Sequence, residues 1–156
     1  WGELNATKSN AVLVLHALTG DSHTTGPSAP GHPTSGWWGG LIGPGLAIDT
    51  NKYFVVTPNV LGGCQGSTGP ASLNPKGQEY GPNFPQLTIK DQALSFEVLA
   101  QQLDVSRWFS IIGGSMAGMH AMEMAINSPQ SVERLAILAA PPFTTADQIA
   151  LNTVQL

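Results

Sequence analysis

Charged side chains are scarce in this sequence: Asp, Glu, Lys and Arg make up 10% of its 156 residues, against roughly 25% in ordinary soluble domains. So little solvated surface predicts that something further covers part of it. The six basic residues stand singly against ten acidic ones, for a net charge of −4. That balance excludes the basic footprint which nucleic acid or an anionic membrane requires. Cys64 is the single cysteine, which excludes an intrachain disulfide and suits a reducing compartment. No apolar run approaches the roughly 20 residues of a membrane span. The opening "WGELNATKSN" lacks the basic start and apolar core of a signal peptide. His16, His23 and His32 show no metal-ligand spacing, so no metal is expected. The expectation is a soluble, cytoplasmic, single-domain protein with neither a membrane nor a nucleic acid as partner.

Glycine and proline are plentiful, at 18 and 12 residues, but they gather between apolar runs, which argues against disorder. Four runs stand out: "AVLVLH" (11–16), "YFVVTP" (53–58), "WFSII" (108–112) and "RLAILAA" (134–140). Each is apolar at consecutive positions, as strands covered on both faces of a parallel sheet are. Between the second and third, Ile89, Ala93, Phe96, Leu99 and Leu103 recur at helical spacing, and Thr88 with Asp91 forms a capping-box pattern. A second helix is expected from Met116 to Asn127, stopped by Ser128-Pro129. Strand, helix, strand, helix, strand predicts an α/β fold with a mostly parallel sheet and helices on both faces. "GWWGGLIGPG" suggests a short helix from Trp37 to Ile42. Residues 59–87 lack periodicity, and their scattered apolar groups predict an ordered loop packed on the sheet.

The chemistry concentrates at "IIGGSMAGMH" (111–120), where a strand stops and a helix starts. A serine in such a turn is either punctuation or a nucleophile held up by a strained bend. Small neighbours Gly113, Gly114 and Ala117 permit a tight bend, and Ala117 replaces the last glycine of the G-x-S-x-G pattern. Ser115 is the candidate nucleophile. The following helix would present its N-terminal N–H groups to a developing oxyanion. Met116 is one candidate for the oxyanion hole, and Leu18, in the loop "LHALTGDSH" (15–23), is the other, with Thr19 second.

"LVLHALTGDSH", "GWWGGLIGPG", "NVLGGCQGSTGP", "FPQLTIKDQ" and "GGSMAGMHAMEMA", in this order along nearly the whole chain, resemble the homoserine O-acetyltransferase family, an acyltransferase branch of the α/β-hydrolase fold. The resemblance implies that Ser115 takes an acetyl group from acetyl-CoA and passes it to the hydroxyl of L-homoserine, a step of methionine synthesis. It implies Leu18 and Met116 as oxyanion-hole positions, acetyl-CoA as co-substrate, no permanently bound cofactor, and a homodimer. Members commonly carry S-M-G-G where this chain has Ser115-Met116-Ala117-Gly118, and glutamine at the place of His120. Many have an arginine near the position of Leu156 that holds the substrate carboxylate, so the acceptor is less specified than the acyl-serine chemistry. A succinyl donor or a serine acceptor stays open within the family.

The triad of this fold runs Ser, then Asp or Glu, then His, and no histidine follows Ser115 except His120. His120 lies five residues along the helix, roughly 140° around the axis, and faces away. The chain is therefore expected to be the N-terminal portion of a single catalytic domain, with the lid, Asp and His supplied by the rest of the enzyme. His16 ends a strand and reads as a packed histidine, Cys64 as a loop-packing residue, Trp37 and Trp38 as core. Asp147, in "TADQIA", reads as a helix start rather than a displaced triad acid. A serine esterase on the same scaffold and a non-catalytic binding module with a vestigial elbow are the alternatives.

Overall fold

The computed structural model describes residues 1–63 and 65–155. The expectations for Cys64 and Leu156 lie outside them. Strand β1 (Ala11–Leu15) is wholly buried and central. It pairs in parallel with β4 (Phe54–Val56) on one side and β5 (Ser110–Gly114) on the other, and β6 (Leu135–Leu138) extends the sheet beyond β5, giving the order β4-β1-β5-β6. Its consecutive apolar side chains are explained by two cores. Ala11, Leu13 and Leu15 pack with Phe96, Trp108, Ile111, Ala117, Ala121 and Met124. Val12 and Val14 pack on the opposite face with Ile42, Val55 and, at the margin, Trp38 and Phe109.

Helix α1 (Ile89–Gln102) starts at the expected capping box: Thr88 Oγ1 accepts from the Asp91 N–H at 3.2 Å, and the Asp91 carboxylate accepts from the Thr88 N–H at 2.8 Å. The Thr88 hydroxyl, 2.6 Å from the Asp91 carboxylate, and then the Thr88 N–H hold the Asp91 carboxyl below its usual pKa. Helix α2 (Met116–Asn127) has the expected bounds. Helix α3 (Ala146–Gln155) begins around Asp147. None of the described helices is long and apolar enough to cross a membrane.

The helix expected at 37–42 is not formed. Leu41 and Ile42 donate to the Trp38 carbonyl at 2.8 and 3.1 Å, closing one turn only. The chain then enters β2 (Ile42–Gly43), which pairs with β3 (Ile48–Asp49). Glycines at 36, 39 and 40 weaken a helix there, and strand pairing with burial of Ile42 to 1% exposure wins. The described residues of 59–87 form an ordered loop, fastened by a bridge between Leu73 and Glu79 and by edge-to-face packing of Tyr80 on Phe84.

Candidate active site

Ser115 stands between β5 and α2 with φ 56° and ψ −126°, a conformation that costs a residue with a Cβ on the order of 1–3 kcal/mol. Serine is a preferred helix N-cap because its oxygen accepts an N–H of the first turn. Here it occupies that position without making the bond, and the residue is exposed. Turn punctuation therefore does not account for it. The bend is pinned on both sides: the Ser115 N–H donates to the Leu138 carbonyl at 3.0 Å, and the Ser115 carbonyl accepts from Gly118 at 2.9 Å.

Two glycines allow this bend. A Cβ on Gly113 would lie 2.2 Å from the Ala117 carbonyl oxygen, and one on Gly118 would lie 2.4 Å from the Ala140 Cβ. Gly114 is not constrained in this way; a Cβ there meets only Leu138 atoms at 3.6 and 3.8 Å. The close helix–strand approach sought at the last position of the G-x-S-x-G pattern is thus made one residue later, at Gly118, and Ala117 is fully buried without conflict.

Met116 is the first residue of α2, so its N–H has no intrahelical acceptor. Leu18 sits in a β-turn closed by the Gly20 N–H on the Ala17 carbonyl at 2.9 Å, with its side chain 70% exposed. Thr19 shares that turn and, with Gly114, Asp21, His23, Trp37 and Trp38, lines a cavity of about 370 Å³ at the same edge of the sheet. Trp38 belongs partly to the core, as expected, whereas Trp37 is a cavity wall and donates Nε1–H to the Asp21 carbonyl at 2.9 Å.

His16 and His120 are both buried. His16 Nε2 accepts from the Val60 N–H at 3.1 Å, so its proton is on Nδ1, which donates to the Ala17 carbonyl at 2.8 Å. Gln92 Nε2 donates to the Leu61 carbonyl at 2.9 Å. That orients its Oε1 toward His120 Nε2–H, 2.8 Å away, and leaves His120 Nδ1 buried and without a partner among the described residues. Among the described residues no histidine nitrogen is hydrogen-bonded to Ser115. Gln92 was not singled out from sequence. The available signal was a polar residue three positions after Ile89 and four before Phe96, inside the apolar stripe of α1.

Burial lowers the His120 pKa to about 4 from 6.5. A histidine with a depressed folded pKa is neutral in the fold but charged when unfolded between those values. Stability is therefore full above about pH 6.5 and falls as pH drops toward 4, by roughly 3 kcal/mol at most. Urea midpoints of the full-length protein measured from pH 7 to 4.5 are expected to show this decline, and His120→Gln is expected to flatten it.

A family model for the alpha/beta hydrolase fold matches residues 10–156. A homoserine O-acetyltransferase of Leifsonia xyli subsp. xyli (strain CTCB07) is 60% identical over 156 residues, covering 100% of this chain and 39% of that protein. The crystal structure of homoserine O-acetyltransferase from Bacillus anthracis superposes with a TM-score of 0.90 at 37% identity, over 99% of this chain and 43% of that one. Esterase E22 superposes with a TM-score of 0.88 at 35% identity, over 96% of this chain and 43% of that one. The chain spans about two fifths of the length of the curated relatives it matches.

Proposed function

This chain belongs to the alpha/beta hydrolase fold family, and from that premise we propose that the full-length protein is an acyltransferase working through an ester on Ser115. The observation that carries the reading is the Ser115 turn, with its positive φ, exposed residue and unused capping position. Ser115 Oγ gives up its proton to a base and attacks the thioester carbonyl of acetyl-CoA. The carbon–sulfur bond breaks and coenzyme A leaves as the thiol. The hydroxyl of L-homoserine then attacks the acetyl-serine ester, Ser115 Oγ leaves and is reprotonated, and O-acetylhomoserine departs. The N–H groups of Met116 and Leu18 receive the oxyanion of each tetrahedral intermediate. His16 and His120 are turned into the loop at 60–61 and into α1. The base and its orienting acid are accordingly a histidine and an aspartate of the longer protein, in the order this architecture uses. Acetyl-CoA is a co-substrate, and the setting is the cytoplasm, where acetyl-CoA is available.

The similarity to a homoserine O-acetyltransferase supports the acetyl donor and the homoserine acceptor. The likeness to esterase E22 favours a second reading, in which water discharges the ester. Mixed with acetyl-CoA, the full-length protein is expected to gain one acetyl group on Ser115 by intact mass, and homoserine is expected to discharge it far faster than water alone. Equal discharge would select the hydrolase, and no acylation would remove both readings.

A further inference from the structure

Three consecutive residues of the loop after β4 reach to both sides of the candidate site. Asn59 Oδ1 accepts from the Ser22 N–H at 2.9 Å and its Nδ2 donates to Ser22 Oγ at 3.1 Å. The Val60 N–H donates to His16, whose other nitrogen donates to the Ala17 carbonyl. The Leu61 carbonyl accepts from Gln92, whose oxygen accepts from His120 on α2. Ala17 also closes the turn that contains Leu18. The two candidate oxyanion donors are thus joined through side chains: Met116 by α2, His120, Gln92 and Leu61; Leu18 by Ala17, His16 and Val60. The His120 ring also lies edge-on to Phe96, with ring centroids 5.7 Å apart.

We propose that Gln92 and His120 are positioning residues for acyl transfer, setting the distance between the Met116 and Leu18 N–H groups through the 60–61 segment. The inference rests on the acyl-serine reading above. It follows from the geometry of an oxyanion hole, in which both donors must lie within about 2.7–3.1 Å of one oxygen. One donor is fixed to its helix, but the other belongs to an exposed turn whose place is set by these bonds. A buried polar chain of this kind is costly when half satisfied, and here both links of Gln92 are made.

The test uses the full-length protein and p-nitrophenyl acetate, whose release of nitrophenolate reports Ser115 acylation whatever the natural acceptor is. Gln92→Met keeps the volume and cuts both bonds. It is expected to lower the acylation rate constant by about 10- to 100-fold, less than or comparable to deleting an oxyanion donor, with KM for the ester within about twofold. Affinity for an alkyl boronic acid, which forms a tetrahedral adduct on the serine, should fall in parallel with the rate. His120→Gln, which retains an N–H toward Gln92, should stay within about threefold of the parent, because the donor is preserved. If Gln92→Met does not fold, the double variant Gln92→Leu, His120→Leu carries the same test, since removing both polar partners is milder than orphaning one. A folded variant with unchanged acylation and boronate affinity overturns the proposal, as does a rate loss without loss of boronate affinity. A parent protein that releases no nitrophenolate burst overturns the acyl-serine reading instead.

Discussion

Ser115→Ala in the full-length protein is expected to lower kcat for acetyl transfer by roughly 10⁴-fold or more, the scale on which a nucleophile's removal leaves only binding and oxyanion stabilisation. Steady-state turnover with acetyl-CoA and homoserine measures it, and a loss of less than tenfold would move the chemistry to another residue. Stability separates this role from a structural one. Alanine has a Cβ, so it keeps the strain of φ 56° and ψ −126°, and Ser115→Ala should unfold at nearly the parent urea midpoint. Glycine adopts that conformation without steric cost. Ser115→Gly should therefore be equally inactive and yet more stable, by about 1 kcal/mol. A side chain retained where glycine fits better is retained for its hydroxyl.

Gly113→Ala is expected to destabilise the protein by at least about 3 kcal/mol, the upper range for overpacking, because the added methyl meets backbone that cannot swing aside. Its Cβ would lie 2.2 Å from the Ala117 oxygen and 3.0 Å from the Gly118 nitrogen. Relief requires α2 to move off β5, which carries Ser115 and the Met116 N–H with it, so turnover should fall along with the melting temperature. Gly114→Ala is the matched control. Its Cβ meets only Leu138 atoms, at ordinary van der Waals distances, and its stability should change by less than about 0.5 kcal/mol, as for unconstrained sites. Comparable losses in the two variants would mean that the bend tolerates neither methyl and that the Gly113 contact is not the decisive one.

The difference between those neighbouring glycines marks where sequence reasoning stops. The buried central strand was legible because β1 is apolar at every position, and the cores on its two faces account for each side chain, whereas β6, apolar in the same way, is largely exposed. The starts of α1 and α2 were legible from local chemistry: a capping pair three residues apart, and small residues around a serine. Strand β5 was expected at 108–112 but lies at Ser110–Gly114. Trp108 and Phe109 have strand-forming side chains and the glycines read as a turn, yet pairing of Gly113 with Leu15 draws the glycines into the sheet. Gly118, Gln92 and Leu61 escaped because their partners are distant in the chain. The contact of Gly118 is with Ala140, and Gln92 joins residues 31 positions before it and 28 after it. No local period encodes such bonds.

The strand order also sets a timetable for folding. Strand β1 precedes both of its neighbours in the chain, and its register with β5 joins Val12 to Ser110. About 100 residues must follow it before that partner exists, on the order of 5–20 s at ordinary rates of synthesis. During that interval the neighbour available to "AVLVL" in this sheet is β4, over three residue pairs, and a short uncharged β-prone run is the kind of segment that nascent chains aggregate through. Pairings so distant also slow folding itself. The strand that ends up completely shielded thus waits about 100 residues for one of its two neighbours, and prompt delivery of β5 shortens the time in which it can misassociate.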